Sequence, residues 1–346
     1  MSELLTELVR RYSPSTHEQE AVSYLVEWMN HHGFMAQKDA SGSAVGIVGD
    51  PHAEHTLILL GHIDTFPGDL PVEVREGVLY GRGSVDAKGS LCAFAEAAAS
   101  AKIPAGWRVI VAGAVEEECA TSKGARHIRD QFSPDLCIIG EPSGSSRITL
   151  GYKGRLVLEY TLTRPVAHTA RPEPSAGALG AAFWVRVETW AKERNQGLTA
   201  AFEQVWAHLR AINTETDHFR ETVRVALSLR LPPTCPPKEA LAALETLADE
   251  GAALHAHGLE RAYQGDRNNA LVRGMLAAIR ETTHERPGFV LKTGTSDMNV
   301  VGEVWNCPII AYGPGDSNLD HTPNEHLPLD EYQRAVTALR YFIEHL

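Results

Sequence analysis

The chain is short of three things, and each shortage excludes something. Its five cysteines (Cys92, Cys119, Cys137, Cys235 and Cys307) are odd in number and form no Cys-x-x-Cys pair. A disulfide framework or a thiolate metal cluster has too little to build on, and a reducing, cytoplasmic setting is expected. Positive charge is scarce: 32 Lys and Arg against 44 Asp and Glu give a formal net charge of −12. That argues against nucleic acid or an anionic membrane surface as the main partner. No apolar run approaches the about 20 residues that span a bilayer. The opening Met1-Ser2-Glu3-Leu4-Leu5 also lacks the basic and apolar regions of a signal peptide. Internal repeats and low-complexity tracts are missing too. What remains is an ordinary globular composition, 43% hydrophobic and 22% charged, in 346 residues. That length suffices for two domains and a large core.

Two stretches dominate the pattern. Leu57–Leu60 is a short apolar strand that runs into Gly61-His62-Ile63-Asp64-Thr65, and Gly83-Ser84-Val85-Asp86-Ala87-Lys88-Gly89 is a glycine-rich turn before the small-residue run 91–99. On a strand, His62 and Asp64 share one face, and a carboxylate beside a ligating imidazole fixes its orientation. Three glutamates, Glu116, Glu117 and Glu118, follow the apolar strand 108–115. Glu141 follows the strand 136–140, and His321 sits near the C-terminus. Delivering three carboxylates to one strand end creates repulsion that a cation would offset. A set of imidazoles and carboxylates without thiolate suits zinc, or cobalt or manganese in its place. A shared carboxylate is needed between two such ions, and Asp86 is the natural candidate.

Strands alternating with helices up to residue 140 predict an α/β fold, with ligands gathered at strand C-terminal ends. Ser15 and Glu18 have capping-box spacing ahead of a helix over 17–32. The texture changes near residue 150. Alternating strands over 148–152, 156–163 and 223–231, with helices over 175–194 and 238–257, predict a small inserted α+β domain; the polar stretch 195–222 carries no predicted element. The expected organisation is a catalytic domain of 1–152 and 266–346, with a mostly parallel sheet, interrupted by a domain of 153–265.

These motifs, in this order and over almost the whole chain, resemble the co-catalytic zinc deacylase/carboxypeptidase family. The family includes acetylornithine deacetylase, succinyl-diaminopimelate desuccinylase and glutamate carboxypeptidase. The resemblance implies two divalent metal ions held by His62, Glu118, Glu141 and His321, with Asp86 bridging and the Asp86–Ala87 peptide cis. It implies amide hydrolysis, with Glu117 as the base and Asp64 orienting His62. The triplet leaves the glutamate register open on residues alone; the family's spacing to the glycine at 124 favours Glu117 as base and Glu118 as ligand. The insert resembles the family's ferredoxin-like lid and dimerisation domain. His168, in His168-Thr169-Ala170-Arg171-Pro172, would reach a partner subunit's site and stabilise the oxyanion. Arg230 and Lys153 match lid residues near the substrate, and Gly294, Thr295 and Ser296 match a substrate-side turn. Against the family pattern, Ala167 replaces the usual glycine before that histidine, and His218-Phe219-Arg220-Glu221 replaces an Asn-x-x-Pro element.

Within the family, Gly151-Tyr152-Lys153-Gly154-Arg155, Thr293-Gly294-Thr295-Ser296-Asp297-Met298-Asn299 and Tyr312-Gly313-Pro314-Gly315 look most like one subgroup. Its members release lysine or ornithine from the γ-carboxyl of a glutamate on the acidic amino-group carrier protein LysW, in lysine or arginine biosynthesis. Such a substrate predicts a basic rim, to which Lys153, Arg155, Arg164 and Arg171 would contribute. The alternatives are a deacetylase of N-acetylornithine or N-acetyl-lysine and, more remotely, a metal-binding homologue without catalysis.

Overall fold

The computed structural model describes residues 2–168 and 172–346, and the chain divides into two compact units. The first comprises 1–151, 264–291 and 296–346. Its sheet is mixed and is parallel at its centre, where Trp107–Ala114, His55–His62, Leu136–Gly140 and Ile309–Ala311 lie side by side. Ala44–Gly49 and Met35–Lys38 extend it antiparallel on one side, and Arg147–Tyr152 on the other.

The central strands are aliphatic at nearly every position because both faces are covered. Leu57, Leu59, Val109, Val111, Ile138 and Ile310 belong to one core with the helices Glu3–Arg10, Gln19–His31, Lys88–Ser100, Ala270–Thr283 and Leu329–Glu344. Their neighbours Ile58, Leu60, Ile110, Ala112 and Ile139 point the other way and are equally buried. Lys123–Gln131 and Asp297–Val301 pack against that part of the sheet. Burying each large aliphatic side chain contributes about 1.5–3 kcal/mol, which makes this sheet a rigid platform for whatever its strand ends carry. Lys88–Ser100 begins unusually close to the turn before it. A Cβ on Gly89 would lie 2.4 Å from the Ser84 carbonyl oxygen, so only glycine lets the helix start there.

The second unit comprises 152–263 and 292–295. Trp206–Thr216, Arg220–Leu231, Gly154–Pro165 and Ala253–His257 form a four-stranded antiparallel sheet in that order. Alternate residues Leu156, Leu158, Tyr160, Val223, Val225, Leu227 and Leu229 bury against Phe183 and Val187 of Ala176–Arg194 and Leu244 of Pro237–Leu247. Residues 292–295, which sequence reasoning assigns to the returning catalytic segment, cluster with this unit.

Three sequence expectations fail for local reasons. The stretch 195–222 contains the strand Trp206–Thr216, and this strand lies at the sheet edge with much of its surface exposed. Its apolar alternation is therefore weak. The helix expected over 238–257 ends at Leu247, whose carbonyl accepts a hydrogen bond from Arg186 Nε. Gly251, at φ +81°, then turns the chain into the strand Ala253–His257. Ser15 is not a helix cap: the helix starts at Gln19 after Glu18, and the Ser15 hydroxyl is used elsewhere.

Candidate metal centre

The parallel register brings the chemistry together. Gly61 pairs with both Gly113 and Gly140, so His62, the glutamates after Val115, and Glu141 leave the sheet at the same edge. His62 is buried, with Nδ1 3.0 Å from the Asp64 carbonyl oxygen and 3.6 Å from Asp64 Oδ1. The nearer carbonyl fixes the ring, with Nδ1–H donating, and leaves Nε2 facing Asp86 Oδ1 at 3.2 Å. Besides flanking His62 Nδ1, the Asp64 carboxylate has further partners. It accepts from the backbone N–H of Glu117 and of Glu118, each at 3.0 Å, and from the Ser15 hydroxyl at 2.7 Å. Asp64 orients His62 chiefly through its carbonyl, while its carboxylate holds the glutamate backbone.

Asp86 lies between two imidazoles. Oδ1 faces His62, and Oδ2 is 3.1 Å from His321 Nε2, which is also 3.0 Å from Glu118 Oε1. The ligand atoms of Asp86, Glu118 and His321 all fall within 4.8 Å of one another. The Asp86–Ala87 peptide is cis. His321 is half exposed, has φ +61°, and stacks on Phe66 with ring centroids 4.1 Å apart. Of the three glutamates, Glu116 is occupied locally, accepting from the Thr121 hydroxyl at 2.6 Å with Lys123 Nζ 3.6 Å away.

The electrostatics are those of too many carboxylates in one place. Burial raises Glu117 well above the ordinary carboxylate range, and the charges of Glu141, Asp297 and Glu118 add to it. Burial and then Asp86 raise Glu118 as well. Asp86 moves down despite burial, because His321 and His62 both donate to it. His321 is pushed up to about 10 by Asp86 and Glu118. Burial opposes the His62 imidazolium, yet Asp64 and Asp86 outweigh it and raise the group. A cation in the cluster would offset the repulsion among these carboxylates. Two imidazole nitrogens on opposite oxygens of one carboxylate, with further carboxylates around them, fit divalent cations of the zinc type.

Arg230 donates from Nη1 to Thr295 Oγ1 at 3.0 Å within the second unit. Buried Lys153 donates to the Gln204 carbonyl and lies 4.2 Å from the centre of the Trp206 ring. Burial, with Arg230 adding, lowers its ammonium to about 8. Gly294 has open space where a side chain would go, so no close approach demands glycine there. Ser296 is buried and caps the short helix Asp297–Val301, with Asn299 completing a capping box. His168 is exposed, and Thr169–Arg171 lie outside the described residues. Arg155 pairs with Glu260 at 3.0 Å and Arg164 with Glu221 at 3.5 Å, which reduces what either offers a charged partner.

Sequence reasoning missed Ser15 and Asp297. Ser15 looked like a cap because serine favours that position; nothing local marks it as a partner of Asp64, 49 residues away. Asp297 is fully enclosed, and burial raises it to about 7. Its position directly after the Gly294–Ser296 turn was the only signal.

Residues 58–345 match the model of Peptidase family M20/M25/M40. A LysW-lysine hydrolase of Deinococcus radiodurans is 46% identical, covering 97% of this chain and 94% of that protein. A LysW-lysine/LysW-ornithine hydrolase of Saccharolobus islandicus is 27% identical over 99% of this chain and 95% of its own length. Among solved structures, an M20 family metallo-carboxypeptidase of Sulfolobus solfataricus superposes with a TM-score of 0.77 at 18% identity, covering 99% of both chains. A tripeptidase of Staphylococcus aureus gives the same TM-score at 16% identity, over 99% of this chain and 96% of its own. At these identities the two structures establish the fold alone.

Proposed function

Because the chain belongs to peptidase family M20/M25/M40, we propose that it hydrolyses the amide linking lysine, or ornithine, to the γ-carboxyl of a glutamate on the carrier protein LysW. The observation that carries the chemistry is Asp86, whose two oxygens face His62 and His321. The substrate reading rests on full-length kinship with a LysW-lysine hydrolase. His62 and Glu141 would hold one divalent ion on one side of Asp86, since Gly61 and Gly140 are strand partners. Glu118 and His321 would hold a second on the other side, and zinc suits this donor set. When bound, such ions polarise a carbonyl and acidify water.

The protein's own groups supply the rest. Glu117 takes the proton of the attacking water and returns it to the leaving amine, a task suited to a carboxyl whose proton affinity burial raises. Asp64 keeps Glu117 and Glu118 in place through their amide N–H groups. Arg230, steadied by Thr295, offers a planar fork for a substrate carboxylate. Lys153 adds a second cation beside it. Gly294 and Ser296 shape the turn around Thr295. His168 stabilises the developing oxyanion from the partner subunit of a homodimer.

The test is lysine release from carrier-linked γ-glutamyl-lysine, run beside N-acetyl-lysine and N-acetylornithine, with and without chelator. Chelator-sensitive release confined to the carrier substrate is expected. Preference for the free acetyl compounds would overturn the substrate assignment. Glu117→Gln should bind metal as the wild type does and lose nearly all turnover.

A further inference from the structure

Glu325 lies four residues beyond His321 and is 1% exposed. It is in phase with buried Leu327 on the strand that follows, so its side chain faces inward where an apolar residue would be expected. A carboxylate in that position needs partners, and backbone amides and a guanidinium supply them. Oε1 accepts from the backbone N–H of Val85 at 3.0 Å and of Asp86 at 3.1 Å, and Oε2 accepts from Arg82 Nη1 at 2.7 Å. Arg82 is itself buried and donates through Nε to the Gly68 carbonyl at 2.9 Å. The Glu325 carbonyl accepts from the Gly81 N–H at 3.2 Å. Arg82 also lies 5.9 Å from the ring of Phe66, on which His321 stacks.

These contacts close a loop through the metal centre. One carboxylate grips the backbone of Asp86, the residue facing both imidazoles, and its own chain segment carries His321. We propose that Glu325, held by Arg82, is a positioning residue for the metal centre: it fixes Asp86 against His321 and so keeps these two side chains poised to hold metal. The proposal rests on the metal-centre reading above. An ion pair serving only the fold would be replaceable by neutral groups at little cost. A clamp on a ligand's own amide would instead change metal affinity, typically 10–100-fold when an outer partner of a ligand is lost.

Glu325→Gln leaves one oxygen for donors that two oxygens serve and sets an NH2 group against one of them. Glu325→Asp keeps the charge and falls one methylene short of the amides. Both variants, prepared metal-free, are titrated with cobalt(II) against a chelator while the visible cobalt spectrum is recorded. Glu260→Gln, which breaks the Arg155 pair in the other unit, is the control. The expected result is a 10–100-fold loss of cobalt affinity and an altered spectrum in both Glu325 variants, with the control unchanged. Wild-type affinity and spectrum in either folded variant would overturn the proposal. So would failure of both to fold, which would assign the pair to the scaffold alone. If the wild type binds no cobalt, the metal-centre reading itself fails.

Discussion

Asp64→Asn is the most informative substitution at the strand ends. The native carboxylate is fully enclosed, accepts from the amides of Glu117 and Glu118 and the Ser15 hydroxyl, and lies 3.6 Å from His62 Nδ1. An amide side chain has one oxygen. Placed at the Oδ2 position it keeps Ser15 and Glu118, but its NH2 then opposes the Glu117 N–H across 3.0 Å. Leaving that buried donor unsatisfied costs about 1–3 kcal/mol, and the two retained bonds lose their charge assistance, about 1 kcal/mol each. The substitution also removes the desolvation penalty of a buried carboxylate, which offsets part of this. A net cost of about 2–4 kcal/mol follows from these terms. It should divide between melting temperature and metal affinity, because the Glu117–Glu118 peptide carries both the proposed base and a proposed ligand. Zinc affinity by chelator competition and thermal unfolding of the metal-free protein measure the two parts. A variant with wild-type values in both would refute the role assigned to Asp64.

Two further outcomes follow from packing and charge. A Cβ on Gly313 would sit 1.9 Å from Ser90 Oγ and 2.9 Å from the Glu141 carbonyl oxygen. Gly313→Ala should therefore cost about 1–3 kcal/mol in unfolding experiments, and a neutral result would contradict the close packing behind Glu141. Lys153 titrates near 8 in the fold, mainly through burial, against 10.5 when unperturbed. The unfolded chain then binds more protons between pH 8 and 10.5, so this group makes the fold more stable as pH rises through that window. The stability difference between the wild type and Lys153→Met should shift toward the wild type by up to about 3 kcal/mol from pH 7.5 to 11. Denaturant midpoints measured across that range check it, and a difference independent of pH would contradict a buried ammonium.

The sequence made the sheet legible because its central strands are aliphatic on both faces, a pattern that survives without knowledge of partners. Strand 136–140 is found where it was expected. The edge strand Trp206–Thr216 was not legible, because an edge that faces solvent has little need of apolar alternation. At the site, His62, Asp86, Glu118 and His321 were visible as residue types at strand ends and turns, and the structure gathers them. The supporting contacts were not. Ser15 to Asp64 and Glu325 to Asp86 join segments 49 and 239 residues apart, and hydrogen bonds of that span leave no local periodicity. Glu325 carried a faint mark, an acid in phase with a buried leucine, which becomes informative only once Leu327 is known to be buried.

Asp86 is proposed to sit between two metal ions. Anomalous diffraction at the zinc edge from zinc-loaded crystals tests it directly. Two peaks per chain are expected, one on each side of the Asp86 carboxylate, the first beside His62 and Glu141 and the second beside Glu118 and His321. No peak at these side chains, or a single one that does not touch Asp86, would contradict it.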